Sequence, residues 1–234
     1  MMEILPTNTC PPDLAELRRR TGSFAGIAPS IQLDVCDGVF APALSWPYGS
    51  GQWEELGQLA GSAEGLPLSD TLTYEAHLMV QKPVEIGELL ARAGCARVLA
   101  HVEVFTEASV AEAAFRTWKK AGASETGLAV LMQTPLSALA PFAPLCDVVQ
   151  FMSIGTVGYQ GAQFEPGVLD RIGELHEKYP GVVIEVDGGV SRANIADLAR
   201  AGATRFGVGS AISKAESPKA AYGELKALAE SAVH

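Results

Sequence analysis

Short apolar runs alternate with longer amphipathic stretches along the whole chain. The runs at 2–7 (MEILPT), 30–35 (SIQLDV), 72–79 (LTYEAHLM), 97–103 (RVLAHVE), 127–132 (GLAVLM), 147–153 (DVVQFMS), 182–187 (VVIEVD) and 204–208 (TRFGV) are rich in Val, Ile and Leu. Several lack polar alternation, the pattern of strands covered on both faces. Helical stretches are expected at 12–20, 83–93, 107–121, 191–201 and 217–231, with one more near 52–60 inside the irregular segment 41–71. Serine or proline opens these stretches, and Gly94, Gly122 and Gly202 close three of them, the usual asymmetry of helix caps.

Eight strands in 234 residues, with a helix candidate after nearly every one, give about 29 residues per unit. Strict alternation of this kind implies a parallel sheet. The expected fold is therefore α/β, a single-domain (β/α)8 TIM barrel spanning 1–234. A doubly wound open sheet is the runner-up. It would normally carry a glycine fingerprint after its first strand, and ILPTNTC has none.

Composition narrows the partners. The chain is 48% hydrophobic and carries 17 basic against 27 acidic residues, a formal charge of −10, which argues against a nucleic-acid partner. No apolar run reaches about 18 residues, so no membrane-spanning helix is expected. The start of the chain lacks the basic-then-apolar pattern of a secretory leader. Cys10, Cys36, Cys95 and Cys146 form no CxxC pair and read as reduced thiols of a cytoplasmic protein. His176 and His234 read as surface residues, and Trp46, Trp53 and Trp118 as packing residues.

In a barrel of this class the site lies at the C-terminal ends of the strands. The ionisable residues there are Asp34, Asp37, His77, His101, Glu103 and Asp187. A buried carboxylate is normally paired, metal-bound or catalytic, and one His with two Asp from separate strands suits a divalent metal. The competing reading for each is a hydrogen-bonded core polar residue. Asp37 reads as an anchor for the turn at Gly38, and His101 with Glu103 as a polar support behind the metal end. Three glycine clusters follow strands six, seven and eight: Gly158-Tyr159-Gln160-Gly161, Gly188-Gly189 and Gly207-Val208-Gly209-Ser210. Glycine lets backbone N–H groups approach an anion, and loops seven and eight commonly hold phosphate.

These motifs resemble the ribulose-phosphate 3-epimerase family. The segment Gln32-Leu33-Asp34-Val35-Cys36-Asp37-Gly38-Val39-Phe40 is similar to the family's His-x-Asp-x-Met-Asp-Gly-x-Phe, and His77-Leu78-Met79-Val80 to its His-Leu-Met-Val. His101-Val102-Glu103 is similar to His-x-Glu, Pro6-Thr7 to an N-terminal Pro-Ser, and Met152-Ser153-Ile154 with Gly158–Gly161 to Met-Ser-Val-x-Pro-Gly-Phe-Gly-Gly. Asp187-Gly188-Gly189 and Gly209-Ser210-Ala211-Ile212 match closely, in order, at the end of the chain.

The resemblance implies a phosphorylated ketose substrate and a divalent metal (zinc, iron, manganese or cobalt). It also implies proton exchange at C3 by two aspartates, here Asp34 and Asp187, and a homo-oligomer. It makes His77, Asp34 and Asp187 metal ligands and sets Met79 and Met152 around the intermediate. Thr7 and the glycine loops would hold substrate and phosphate. Gln32 stands where the family has its first metal-binding His, so an amide oxygen is the expected fourth ligand. The leading function is interconversion of D-ribulose 5-phosphate and D-xylulose 5-phosphate. A related epimerase or isomerase with an altered ketose phosphate, such as allulose 6-phosphate, and a non-catalytic sugar-phosphate-binding barrel stand as alternatives.

Overall fold

Eight parallel strands close in sequence order: β1 (Glu3–Asn8), β2 (Ser30–Cys36), β3 (Thr73–Met79), β4 (Cys95–His101), β5 (Glu125–Val130), β6 (Val148–Met152), β7 (Val183–Asp187) and β8 (Arg205–Val208), which pairs with β1. This computed structural model describes residues 2–159 and 161–233. The helices are α1 (Leu14–Phe24), α2 (Gln52–Ala60), α3 (Pro83–Arg92), α4 (Ala108–Ala121), α5 (Val168–Lys178), α6 (Ile195–Ala201), α7 (Ser210–Ser213) and α8 (Pro218–Ser231). The TIM barrel read from the alternating pattern is the fold.

Successive strand residues point to opposite faces. Ile31, Leu33 and Val35 of β2 pack outward in one apolar cluster with Leu17 and Phe24 of α1 and Leu56 of α2. The residues between them, Gln32, Asp34 and Cys36, therefore face the barrel interior. Caps set where helices begin. Asp13 accepts the Glu16 N–H at 2.7 Å before α1, and Ser217 accepts that of Ala220 before α8, with Pro218 in the first turn. Trp46 and Trp118 are fully buried, Trp53 packs partly buried against the core, and His176 is exposed. His234 lies outside the described residues.

The structure departs from the sequence pattern in several places. Helix α5 is absent from the expected set, although Val168, Ile172 and Leu175 recur at helical spacing and are buried, with Asp170, Glu174 and Glu177 exposed on the other face. Helix α1 runs to Phe24 rather than stopping at 20. Residues 191–194 form a turn, closed by the Asn194 Oδ1 accepting the Ser191 N–H at 2.8 Å, so α6 starts later than expected. Short 3-10 turns at Leu136–Leu139 and Ala143–Leu145 take the place of a helix between β5 and β6.

The N-terminal end of the barrel is filled by charge. Arg205 of β8 reaches Glu3 of β1 (3.0 Å), Glu75 of β3 (3.1 Å), Glu125 of β5 (2.9 Å) and Glu185 of β7 (3.8 Å), which only a side chain on the barrel axis can do. Arg97 adds Glu3 at 3.0 Å. Burial pushes the Glu75 and Glu185 carboxyls upward against the pull of Arg205. Removing the cation leaves buried carboxyls without their partner, so Arg205→Met is expected to destabilise the fold by about 3–5 kcal/mol in denaturant unfolding. A change within about 0.5 kcal/mol would show that the network is neutral.

Candidate active site

Two residues further along the same inward faces, the interior turns from the charged plug into the candidate site. Register places Asp34 beside His77, Met152 beside Asp187, and Asp187 beside Gly207. Period-two alternation thus delivers Asp34, His77 and Asp187 to one layer at the C-terminal end. Each offers a ligand atom, all within 4.8 Å of one another, so the group could hold a metal ion. His77 Nδ1 lies 3.2 Å from Asp34 Oδ1 and 3.5 Å from Asp187 Oδ2.

Gln32 stands among these three groups. Its Nε2 donates to Asp34 Oδ1 at 2.6 Å and to Asp187 Oδ2 at 3.0 Å, and lies 3.4 Å from His77 Nδ1. Its Oε1 points the other way and accepts from Gln150 Nε2 at 3.0 Å, and Gln150 Nε2 also donates to Glu185 Oε1. In this arrangement the amide nitrogen, not the oxygen expected as a ligand, faces the carboxylates. Two carboxylates on one side demand a donor, and Gln150 takes the carbonyl on the other. Gly207 leaves the room: a Cβ there would lie 2.8 Å from Gln32 Oε1 and 2.9 Å from Asp187 Oδ1.

Behind His77 runs a polar chain. Its Nε2 faces His101 Nε2 at 3.0 Å, and His101 Nδ1 lies 3.2 Å from Glu103 Oε2. Glu103 Oε1 accepts from the Leu131 N–H at 2.9 Å and from Thr134 Oγ1. Burial would lower the His77 pKa, but hydrogen bonds to Asp187 and Asp34 outweigh it and raise the imidazole to about 10. Burial instead dominates at His101 and, with His77 beside it, lowers that ring to about 4. Neutral His101 then accepts from His77 Nε2–H and donates Nδ1–H to Glu103, leaving His77 Nδ1 facing the carboxylates. Such a tie on the far nitrogen is the usual support of a metal-binding histidine. The Asp34 carboxyl is pushed up, chiefly by burial and also by Asp187. Asp37 does anchor its turn: Oδ1 accepts the Val39 and Phe40 N–H groups and Oδ2 that of Gln81.

A cavity of about 430 Å³ opens above this layer. Asp34, Asp187, Met79 and Met152 form part of its wall, and Thr7, Gly158, Tyr159, Gly161, Gly188, Gly189, Gly209 and Ser210 line its rim. Gln32 and His77 lie fully buried beneath. Gln160 lies outside the described residues. Gly188 and Gly189 adopt φ of +107° and +67°, and a Cβ at Gly188 would meet Ile154 at 2.7 Å, so backbone conformation and packing both require glycine there. Ser153 Oγ donates to the Asp187 and Gly188 carbonyls, fixing the strand-seven end. Sequence reasoning missed Ser191 and Lys214 of the cavity lining and Gln150 beneath it. A signal existed for Gln150, two residues before Met152 on the same strand face. Lys214 follows the strand-eight glycines and brings an exposed cation to the rim. Cys10 and Cys36 also meet at this end, with Sγ atoms 2.8 Å apart. The bond to Cys36, burial and the Asp34 charge together push the Cys10 thiol far above its usual range.

With fold and geometry in place, comparison with known proteins assigns the family. The Ribulose-phosphate 3 epimerase family matches residues 9–213, and the chain belongs to it. Ribulose-phosphate 3-epimerase of Aquifex aeolicus is 31% identical over 215 residues, covering 90% of this chain and 89% of that protein. The Schizosaccharomyces pombe enzyme of the same name is 28% identical over 216 residues, covering 92% and 88%. These relatives make the chain an isomerase of the epimerase type. Among solved structures, 3-hexulose-6-phosphate synthase from Salmonella typhimurium superposes with a TM-score of 0.70 at 15% identity, covering 99% of this chain and 100% of that one. At that identity the likeness speaks for the barrel alone. Among the described residues no helix is long and apolar enough to cross a membrane.

Proposed function

We propose that the chain interconverts D-ribulose 5-phosphate and D-xylulose 5-phosphate by proton transfer at C3 between Asp34 and Asp187. One observation carries this reading. Carboxylates from β2 and β7, strands separated by β1 and β8, converge on a single buried point, Gln32 Nε2. Inversion at carbon needs two acid/base groups reaching one atom from different sides, one taking the proton and the other returning one. Burial that raises the Asp34 carboxyl brings it nearer to the range in which a carboxylate both accepts and gives up a proton.

The donor set suits a divalent cation: two carboxylate oxygens and an imidazole nitrogen whose far side is already tied. When bound, such an ion (zinc, iron, manganese or cobalt), held by Asp34, His77 and Asp187, supplies Lewis acidity to the ketose oxygens. Gln32 holds the two aspartates by its N–H groups, and Met79 and Met152 give the reacting carbon an apolar wall. Backbone N–H groups at Gly188, Gly189, Gly209 and Ser210 bind the phosphate, with Lys214 adding charge, Thr7 contacting substrate, and Gly158, Tyr159 and Gly161 covering it.

Turnover of purified protein tests the reading. D-ribulose 5-phosphate is expected to react and D-ribulose, which lacks the phosphate, to react far more slowly. Faster turnover of D-allulose 6-phosphate would move the assignment to that ketose, and turnover of neither would remove it. A crystal grown with sulfate is expected to hold the anion between loops seven and eight. An anion only at the N-terminal face of the barrel would contradict the phosphate assignment.

A further inference from the structure

We propose that Cys10 and Cys36 are a modification site, closing into a reversible intramolecular disulfide at the rim of the cavity. β1 and β2 are direct neighbours, paired through Thr7 with Gln32 and Asn8 with Leu33. The chain just beyond β1 and the last residue of β2 therefore emerge side by side. Cys10 turns back with φ of +43°, and its Sγ meets Cys36 Sγ at 2.8 Å. The two thiols differ in access. Cys10 is partly exposed beside the groove formed by Arg20, Pro42 and Leu44, whereas Cys36 is fully buried. Cys95 and Cys146 are buried elsewhere and serve as built-in controls.

Access sets the order of events, and the raised Cys10 thiol makes the first step slow, since a peroxide reacts with the thiolate. A peroxide reaches Cys10 first: its sulfur bonds to one peroxide oxygen, the O–O bond breaks, and the Cys10 proton leaves with the second oxygen as water. Cys10 is then a sulfenic acid, oxidised by two electrons. The Cys36 sulfur attacks that sulfur, the S–O bond breaks, and the oxygen departs as water with the Cys36 proton. The sum is two thiols and hydrogen peroxide giving a disulfide and two waters. A dithiol reductant reverses it by exchange. In the reduced protein the pair stays as thiols, so closure requires the oxidant.

The bond would act close to the reaction. It ties the segment carrying Thr7 and Thr9 to the strand carrying Asp34. Cys36 Sγ also lies 4.0 Å from Met79 Sδ, and a Cβ at Gly158 would come within 3.7 Å of Cys36 Sγ. Gly158 of loop six therefore sits against Cys36.

The test treats the full-length protein with hydrogen peroxide, blocks the remaining thiols under denaturing conditions and maps the peptides by mass. The expected product has lost two hydrogens, links the Cys10 peptide to the Cys36 peptide, leaves Cys95 and Cys146 alkylated, and reverts with dithiothreitol. Cys10→Ala and Cys36→Ala should each abolish the linked peptide, the latter leaving sulfenic or sulfinic acid on Cys10. Four alkylated cysteines after oxidation, a link through Cys95 or Cys146, or irreversible oxidation of Cys10 in the unsubstituted protein would overturn the proposal.

Discussion

Replacing Asp34 or Asp187 by asparagine is expected to lower turnover about a thousandfold each, the middle of the range for a positioned acid/base. Asparagine keeps the shape of the side chain and an oxygen for Gln32 Nε2, but it cannot take or return a proton. The fold should persist, because the apolar cluster outside the barrel and the Arg205 network beneath the site do not depend on either carboxylate. For Asp34 the change also removes a buried carboxyl that burial disfavours in its charged form. Its melting temperature should therefore stay close to the parent value. Near-normal rates in both variants, with circular dichroism unchanged, would mean that the proton transfer lies elsewhere.

Gln32→His is the second large effect. In the parent protein an amide N–H group lies 2.6 Å from Asp34, 3.0 Å from Asp187 and 3.4 Å from His77, among the three ligand atoms. An imidazole there can lend a nitrogen lone pair to a cation where the present amide nitrogen offers only hydrogens. Zinc affinity is expected to rise by about tenfold or more, equivalent to about 1.4 kcal/mol. Epimerase turnover should rise with it. The parent, with fewer nitrogen donors, should tolerate a harder ion such as Mn²⁺ better than the variant does. Calorimetry and mass-spectrometric metal content on both proteins check this. No metal in either protein, together with unchanged activity, would remove the metal site from the account.

The strands were legible because both their faces are covered. Runs such as SIQLDV and VVIEVD stand out as apolar, and their expected bounds fall within two residues of those observed. Helix α5 was legible and was missed: VLDRIGELHEK repeats apolar residues at 168, 172 and 175, and its charges fall on the other face. The residues at the strand ends were visible as ionisable groups in apolar runs, and the support of His77 by His101 and Glu103 appears as expected. The charged plug was missed although it lies on the same faces. Glu75 precedes His77 and Glu185 precedes Asp187, each by two residues. A search with period two from each site residue would have found them. The orientation of Gln32 could not be read from the chain, because it depends on Gln150, a partner 118 residues away. Lys214 and Ser191 reach the cavity from outside the strands, where period-two alternation does not mark the inward side.

Proton exchange at C3 tests the two-aspartate account most directly. D-ribulose 5-phosphate is incubated with the protein in D₂O, and substrate and product are followed by NMR. Transfer between Asp34 and Asp187 predicts D-xylulose 5-phosphate carrying solvent deuterium at C3, formed before deuterium accumulates in the remaining substrate. The same exchange should be lost in Asp34→Asn and Asp187→Asn. Product that retains the original C3 hydrogen, or deuterium found at C1 or C2 with an aldose as product, would contradict it.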